Sequence, residues 1–369
     1  MYLNRDSKLM RIRRTIGTNQ KSLFVTRHSS FVICHSSFVI RHSSPMLYPL
    51  KFKPVFKDKI WGGQKINTKL GLDFSPLPNC GEVWALSGVP DCQTMVSNGF
   101  LEGNELNEIL EIYMDELVGE KVYSIYENEF PILIKFIDAN DYLSIQVHPD
   151  DALAARRKIG KGKTEMWYIL DAEPGAELIS GFNRTMNAAT YLEFLNQKRL
   201  KEILNVEKVH RGDAFFIPSG RVHALGPGIL LAEIQQTSDT TYRIYDWDRV
   251  DSQGKSRDLH TELALEAIDF RPVDSFRTKY RSVVNKPATL VDCPFFTTNL
   301  LELDRETHKD YSALNSFVLY ICVEGKAEII TGEERVSLTI GEVVLLPATI
   351  DEVSLFPDPN IKVLEVYIP

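Results

Sequence analysis

The stretch GDAFFIPSGRVH, residues 212–223, decides the fold, because it recurs near the end of the chain as GEVVLLPATIDE, residues 341–352. The two stretches align without gaps: glycine and proline coincide, an acid follows each glycine, and the apolar positions correspond. Short segments rich in β-branched and aromatic residues, separated by glycine and proline, surround both copies and are typical of a β-sandwich or barrel. An internal repeat of this kind predicts two related jelly-roll modules.

The two copies differ at their last position, where His223 of the first stands opposite Glu352 of the second. Histidine is a common metal ligand at the start of a barrel strand, and only the first module keeps one there. We therefore expect a metal site in the first module and none in the second.

Four side chains in and before the first copy are candidate ligands: Gln146, His148, Glu165 and His223. Ser144, Gln146 and His148 alternate with apolar residues, so period two places them on one face of a strand. A second strand begins at Glu165, and His223 completes the set. Histidine nitrogen and carboxylate oxygen suit Zn²⁺, whose catalytic sites keep one position open. The spacing alone is a modest signal, and each histidine could equally be a structural residue.

Charge is distributed unevenly along the 369 residues. The net charge is −8, but residues 1–45 contain eight Lys or Arg and one acid, giving +7, so the remainder carries −15. An acidic body argues against nucleic acid as a partner. No apolar run approaches the roughly 20 residues that span a bilayer, and five cysteines without a CxxC pair predict a reducing, cytoplasmic setting without a membrane.

An anionic substrate would need locally placed cations in such an acidic body. Lys135, Lys163, Arg221 and Arg243 lie in or beside the predicted strands. Arginine can bind a phosphate with two parallel hydrogen bonds. The alternative is that these residues are surface ion-pair partners; for Lys163 the two interpretations are balanced, and for Arg221 the surface interpretation is favoured.

From Met46 onward the sequence closely resembles the type I mannose-6-phosphate isomerase family, in its short bacterial branch. The segments that carry the resemblance are KDKIWGG (57–63), GEVWALSG (81–88), PILIKFIDANDYLSIQVHPDD (131–151), GKTEMWYIL (162–170), IPSGRVHALGPG (217–228) and AEIQQTSDTTYRIYDWDR (232–249). The resemblance implies a cupin-type enzyme with one Zn²⁺ per chain, which interconverts mannose 6-phosphate and fructose 6-phosphate. The fold class is accordingly mainly β: two cupin-like jelly-roll modules with a few covering helices.

The resemblance also implies roles for individual residues. His148, Glu165 and His223 match the family's zinc ligands, and Gln146 matches a fourth ligand of longer members. Arg243 matches the family's catalytic arginine. The positions that line the family's sugar-phosphate pocket are occupied here by Lys135, Ser144, Lys163, Glu233 and Asp239, with Trp61 near its mouth.

The chemistry implied by the resemblance explains these residue types. Moving a proton between C1 and C2 through an enediol requires a base, a way to stabilise a developing oxyanion, and a group that binds the phosphate. Arg243 or Lys163 can stabilise the enediolate electrostatically. The base stays open between Glu233 and a water on the metal.

Two other functions remain open: a non-catalytic sugar-binding or regulatory cupin, and a cupin isomerase or epimerase acting on another sugar phosphate. The presence of all the ligands and of Arg243 favours the enzyme. The chain lacks the long helical insertion of larger members, having only 57 residues between Glu165 and His223, so substrate selectivity transfers less securely. We expect a monomer whose partner is a small sugar phosphate.

Residues 27–47 read RHSSFVI CHSSFVI RHSSPML, a heptad repeated twice and begun a third time. A coiled coil, a metal site and a mitochondrial transit peptide are alternative explanations. Because the resemblance begins at Met46, we predict instead that residues 1–45 are upstream sequence outside the functional enzyme. Residues 46–280 are then the catalytic module and residues 281–369 a degenerate module. Apolar spacing also predicts helices at about 105–124 and 188–204.

Overall fold

A computed structural model describes residues 46–250 and 254–369. The prediction made for residues 1–45 lies outside this part of the chain. Within it, no helix combines the length and the apolar character needed to cross a membrane.

The described chain is mainly β, as predicted. Twenty strands form three antiparallel sheets. In chain order the strands are β1 Leu50–Lys53, β2 Val55–Lys57, β3 Glu82–Leu86, β4 Met95–Val96, β5 Ile132–Ala139, β6 Ile145–Val147, β7 Glu165–Ala172, β8 Glu177–Phe182, β9 Leu204–Lys208, β10 Ala214–Ile217, β11 His223–Leu225, β12 Ile229–Gln236, β13 Tyr242–Tyr245, β14 Ala288–Cys293, β15 Phe296–Leu303, β16 Thr307–Asp310, β17 Val318–Thr331, β18 Glu334–Thr339, β19 Val343–Leu346 and β20 Glu352–Tyr367.

Six α-helices and two short 3₁₀ helices complete the described fold. The α-helices are α1 Lys65–Leu70, α2 Leu106–Val118, α3 Glu120–Tyr126, α4 Asp151–Arg157, α5 Ala188–Asn196 and α6 Thr261–Ala267; the 3₁₀ helices are Gly99–Leu101 and Leu200–Ile203.

Both predicted helices are present, but each is interrupted. The first is divided between α2 and α3 at Gly119, whose φ of 91° is left-handed. The second was predicted to reach residue 204 and ends at Asn196, because Lys198 has a φ of 58° and the chain continues as a 3₁₀ turn. The spacing of the apolar residues Leu200 and Ile203 is also that of a continued α-helix. In the structure, however, both residues belong to the separate 3₁₀ helix, which buries their side chains.

The first module is a sandwich of two sheets. A six-stranded sheet, in the order β10-β7-β12-β5-β3-β2, faces a five-stranded sheet, in the order β13-β6-β11-β8-β9. Apolar side chains from both sheets, such as Trp167 and Leu225, fill one buried cluster between them. A second cluster packs the other face of the five-stranded sheet against α4, α5 and α6. The metal-ligand candidates thus lie on strands whose positions are fixed by packing on two sides.

The six-stranded sheet is also covered on both faces. All eight residues of β5 and all eight of β12 are buried. The large core that covers the outer face includes Phe136 and Ile234 from this sheet and Leu319 and Leu364 from the nine-stranded sheet. That sheet runs in the order β14-β15-β20-β17-β19-β1-β4, with β16 on β20 and β18 on β17, and forms the second module.

The repeated stretches occupy the same place in both modules. Gly212 and Gly341 have φ values of 88° and 85°, which glycine adopts without strain, and each begins the turn into a short buried strand, β10 or β19. His223 and Glu352 each begin the strand that follows. The equivalence inferred from the sequence is therefore structural as well.

The first two strands connect the two modules. Leu50 in β1 pairs with Leu345 in β19, whereas Val55 in β2 pairs with Trp84 in β3 of the six-stranded sheet. Only Pro54 separates β1 from β2. Proline donates no backbone hydrogen bond and suits a point where a chain leaves one sheet for another. The boundary between the two modules, placed between residues 280 and 281, stays a prediction. β1 lies before this boundary and pairs with β19, which lies after it.

Candidate active site

Three buried side chains converge at one end of the first module. The potential ligand atoms of His148, Glu165 and His223 all lie within 4.8 Å of one another. Glu165 begins β7 and His223 begins β11, while His148 follows β6 immediately before the Asp150 side chain caps α4 by accepting the Leu153 amide at 2.7 Å. Strand ends and a capped helix therefore fix all three.

Each histidine is oriented by a hydrogen bond to a backbone carbonyl. Nδ1 of His148 donates to the carbonyl of Thr240 at 2.8 Å, and Nδ1 of His223 donates to that of Arg221 at 2.8 Å. A carbonyl only accepts, so Nδ1 carries the proton in both rings and Nε2 presents a lone pair. Metal-binding histidines are commonly oriented in this way.

Both lone pairs point toward the carboxylate. His148 Nε2 lies 3.3 Å from Glu165 Oε1, and His223 Nε2 lies 3.6 Å from Glu165 Oε2. Burial lowers the pKa of His148 to about 4 and also lowers that of His223, so both rings are neutral near pH 7. Buried acceptors that face one another without a proton between them are unfavourable unless a cation lies among them. The donor set therefore fits a divalent metal.

The carboxylate of Glu165 is ionised despite its burial. Burial raises its pKa, but the charged surroundings, foremost the ammonium of Lys163, outweigh this and hold the pKa well below its usual range. Lys163 Nζ lies 2.7 Å from Glu165 Oε1, yet neither oxygen of Glu165 accepts a hydrogen bond of normal geometry from the described residues. The contact with Lys163 is thus electrostatic, and the oxygens keep lone pairs for a metal.

Gln146 lies beside the three ligands but turns its amide nitrogen toward them. Its Nε2 is 3.2 Å from Nε2 of His223 and donates to that lone pair, while Oε1 accepts from Ser144 Oγ at 3.4 Å. Rotation of the amide by half a turn would be needed for its oxygen to bind a metal. Ser144, Gln146 and the ligands therefore share one face, as the period of two predicts.

A cavity of about 390 Å³ opens next to this cluster. It falls within the size range of small-molecule sites. Every residue to which the family resemblance assigns a role lines it, except His148 and Glu165, which are buried. The lining residues are Lys57, Lys59, Trp61, Glu82, Trp84, Lys135, Ile137, Leu143, Ser144, Gln146, Lys163, Trp167, His223, Leu225, Glu233, Asp239, Thr241, Arg243 and Arg257.

Glu233 is a buried carboxylate held by two donors. Trp167 Nε1 donates to Oε1 at 2.9 Å, and Lys135 Nζ lies 3.2 Å from Oε2. All three residues lie side by side in the sheet, because Glu233 pairs with Lys135 of β5 and with Trp167 of β7. Burial lowers the pKa of Lys135, but Glu233 and Glu82 outweigh it and raise that pKa overall. Lys135 is thus charged at neutral pH.

Arg243 lies beside the metal-ligand strand. It pairs with Gln146 across β13 and β6, and its Nη1 donates to the carbonyl of Asp258 at 2.9 Å. Its Nε is buried and has no hydrogen-bond partner among the described residues. Burial and then the nearby charge of Arg257 lower the pKa of Arg243, which still leaves a cation facing the cavity.

The remaining predicted residues differ in exposure. Trp61 is buried in the wall and Asp239 is exposed at the rim. Arg221 does not line the cavity, and its guanidinium lies over the ring of Phe276, 4.8 Å from the centroid. Arg221 thus lies outside the cavity, as the favoured interpretation implies, but the contact described for it is with an aromatic ring rather than the surface ion pair expected.

Sequence reasoning missed several cavity residues. Lys57 and Lys59 belong to the quoted KDKIWGG segment, and a period of two could have placed them on the same face as Trp61. Glu82 and Trp84 lie in the quoted GEVWALSG segment in the same way. Arg257 lies after the strands, where no pattern indicates which way a side chain points.

Comparison with known proteins identifies the family. Residues 49–178 match the model of the type I phosphomannose isomerase catalytic domain, and residues 286–363 match that of the mannose-6-phosphate isomerase cupin domain. The mannose-6-phosphate isomerase ManA of Bacillus subtilis is 37% identical over 313 residues, which cover 83% of this chain and 95% of that protein. The mannose-6-phosphate isomerase of Streptococcus mutans is 36% identical over 306 residues, 83% of this chain and 94% of that one.

A solved structure agrees with these matches. The crystal structure of the mannose 6-phosphate isomerase from Bacillus subtilis superposes with a TM-score of 0.77 at 32% identity and covers 86% of this chain and 99% of its own. The resemblance noted in the sequence is thereby confirmed. With family models that match part of each module and relatives aligned over almost their whole lengths, this chain belongs to the type I phosphomannose isomerases, a family of aldose–ketose isomerases.

Proposed function

We propose that this chain interconverts mannose 6-phosphate and fructose 6-phosphate through an enediol, with one zinc ion bound by His148, Glu165 and His223. The observation that carries the proposal is the meeting of two neutral histidine nitrogens with an ionised, incompletely bonded carboxylate. Zinc bound there would supply a Lewis acid that polarises the oxygens of the sugar. Gln146 can join the ligands only after its amide rotates.

Two cations beside the cluster are suited to stabilise negative charge on the substrate. Lys163 is 4% exposed and Arg243 is half-buried, so both act in surroundings from which most water is excluded. Fixed charges in such surroundings stabilise a developing enediolate more strongly than charges in water do.

Glu233 is the protein carboxylate best placed to move the proton between C1 and C2. It lines the cavity, and Lys135 and Trp167 hold its two oxygens in place. A carboxylate in this position can accept a proton from a sugar that lies directly against it, within hydrogen-bond distance.

A coupled assay with mannose 6-phosphate tests the proposal. We expect activity that disappears when a chelator removes the metal and returns with added Zn²⁺. Arg243→Ala should reduce turnover by at least about 100-fold while leaving the metal content unchanged, since Arg243 contacts no ligand atom. Activity that survives complete removal of metal would contradict the zinc mechanism, and a different sugar phosphate product would contradict the substrate assignment. The expected monomer and cytoplasmic location stay predictions.

A further inference from the structure

Arg257 lines the cavity and is fixed from behind by a buried carboxylate. Its Nε donates to Asp246 Oδ2 at 2.7 Å and its Nη2 to Asp246 Oδ1 at 2.5 Å. The side chain of Asp246 is 5% exposed and lies outside the cavity lining, whereas that of Arg257 is 37% exposed. This bidentate contact uses one edge of the guanidinium, and no hydrogen bond from Nη1 to a described residue competes with a group in the cavity.

The same carboxylate also binds a second arginine. Arg249 Nη2 donates to Asp246 Oδ1 at 2.6 Å, and Arg249 Nη1 donates to the carbonyl of Tyr142 at 2.6 Å. Arg249 does not line the cavity, and its side chain is 17% exposed. Asp246 therefore holds two guanidinium groups, one directed at the cavity and one at a neighbouring loop.

Positive charge exceeds negative charge on this wall of the cavity. Three lysines of the lining each have a carboxylate partner: Lys59 with Glu82, Lys135 with Glu233, and Lys163 with Glu165. Among the described residues, Arg243, Arg249 and Arg257 have as electrostatic partners Asp246, Asp258 and, for Arg249 alone, Asp141, whose Oδ2 lies 3.8 Å from Arg249 Nη1.

Like charges that face one cavity repel one another unless an anion enters. The proximity of Arg243 and Arg257 shows in the pKa of Arg243, which is lowered by burial and then by Arg257. A dianionic phosphate between two guanidinium groups would relieve this repulsion and gain charge-assisted hydrogen bonds. A neutral sugar hydroxyl would do so only weakly.

We propose that Arg257 binds the phosphate group of the sugar phosphate and that Asp246 is the positioning residue that orients it. The inference rests on the proposed function for the identity of the sugar, but the anion site follows from the arginines themselves. It assigns a substrate contact to the segment after β13, which none of the predicted site residues occupies.

Lys57 is the competing phosphate ligand. It also lines the cavity and has no carboxylate within ion-pair distance among the described residues; its Nζ lies 3.5 Å from the centroid of the Trp84 ring. Its ammonium is a flexible point charge held by a cation–π contact, whereas Arg257 is a planar fork fixed by two hydrogen bonds. The rigid group is the better preorganised for a phosphate.

The test compares Arg257→Gln with Arg249→Gln, because both substitutions remove a guanidinium from the same carboxylate and only the first changes the cavity. We expect R257Q to weaken competitive inhibition by inorganic phosphate and to raise the KM for mannose 6-phosphate, each by about 10-fold or more, with kcat changed less than about threefold. R249Q should leave both constants within about twofold of wild type. An R257Q variant whose inhibition by phosphate and whose KM for mannose 6-phosphate equal those of the wild type would overturn the proposal.

A double variant tests the positioning role of Asp246. Asp246→Asn should weaken phosphate inhibition in the same direction as R257Q, and adding it to R257Q should have little further effect, because both changes remove one interaction. Asp246→Glu, which keeps the carboxylate, should recover part of the affinity. If D246N lowers only the melting temperature and leaves phosphate inhibition unchanged, Asp246 has no positioning role.

Calorimetric titration of the full chain with inorganic phosphate separates this proposal from the proposed function. Loss of phosphate binding in R257Q would support the anion site even if the wild type failed to isomerise mannose 6-phosphate. An active wild type whose phosphate binding is lost in Lys57→Gln and kept in R257Q would overturn the assignment and place the phosphate beside Trp84.

Discussion

Each module contains a buried glutamate, and the two glutamates have opposite surroundings. Glu165 of the first module faces two lone pairs, and no described residue donates to it a hydrogen bond of normal geometry. Glu365 of the second module accepts from Tyr311 at 2.5 Å and from Asn299 at 2.9 Å, and lies 2.8 Å from Lys309 Nζ. The hydroxyl of Tyr311 also meets that of Tyr320.

This difference separates a site from a structural network. Buried polar groups are stable when their hydrogen bonds are complete, as they are around Glu365. Buried polar groups that meet at one point and lack hydrogen-bond partners require a further partner, as the carboxylate of Glu165 does. In the second module, the exposed Glu352 takes the position of the histidine. The buried carboxylate of that module, Glu365, has its hydrogen-bond partners within the module itself.

The largest test of this comparison is the same substitution at both glutamates. Glu165→Gln should lower bound metal and reduce turnover by at least about 100-fold, because a ligand is lost whereas even indirect partners of a metal contribute about 10- to 100-fold. Metal content, measured by elemental analysis, and the coupled assay provide the readout. An E165Q protein with full metal and full activity would remove the distinction between the modules.

Glu365→Gln is the matched control. It should keep the metal content and turnover of the folded protein but lower the free energy of unfolding by about 2 kcal/mol, since Lys309 and Tyr311 lose a charged acceptor. Denaturant titration of the metal-loaded chain measures this loss. Should E365Q release metal as E165Q does, the second module would take part in the site.

An effect that appears only as the pH changes concerns Asp138, a carboxylate of the first module whose Oδ1 lacks a hydrogen bond from the described residues although it lies outside the ligand trio. Burial raises its pKa to about 6, against the lowering effect of the Lys65 amide, which donates to Oδ2 at 2.7 Å. An unfolded chain has the ordinary pKa of about 3.9, so the folded chain binds the proton more tightly. The stabilisation is present below about pH 4 and is lost, by about 3 kcal/mol, as the pH rises to about 6.

Asp138→Asn should remove this pH-dependent loss, because asparagine does not ionise and can still accept from the Lys65 amide. Denaturant titrations of wild type and D138N between about pH 4 and pH 7 measure the difference. If the free energy of unfolding varied with pH in the same way in both proteins, ionisation of Asp138 would not destabilise the fold. Its Oδ1 would then have a hydrogen-bond partner in solution.

The smallest expected effect is that of Glu352→His, which restores the histidine of the first module to the second. We expect no second equivalent of bound metal, since position 352 is exposed and the only described trio of potential ligands is in the first module. The free energy of unfolding should change by less than about 0.5 kcal/mol, as for other surface substitutions. Uptake of two metal ions per chain would show that one residue alone distinguishes the modules.

The sequence was sufficient for the parts of the fold and site that depend on local pattern. Alternation along one strand places Gln146 beside His148, and the repeated glycine turn places His223 at the start of a strand. These are properties of residues within a few positions of one another. The proximity of the three ligands, by contrast, was expected from the family resemblance and could not follow from spacing alone.

Other features depend on contacts between distant segments. Arg257 points into the cavity because buried Asp246 holds it, and the end of α5 at Asn196 is set where Lys198 adopts a left-handed conformation. The orientation of the Gln146 amide follows from His223, 77 positions away. No local pattern encodes such orientations, so sequence reasoning could name the residue types without their partners.

The pairing of β1 with β19 has a consequence for the order in which the chain can be assembled during synthesis. Leu50 and Leu345 are 295 positions apart, so one edge of β1 can pair early with β4, through Phe52 and Val96, but its other edge has no partner strand until nearly the whole protein has been made. Its neighbour β2 joins β3 across about 30 residues and can form early. The nascent chain must therefore keep one edge of β1 unpaired beside a first module that can already fold, and this open strand edge is exposed to other chains until synthesis is nearly complete.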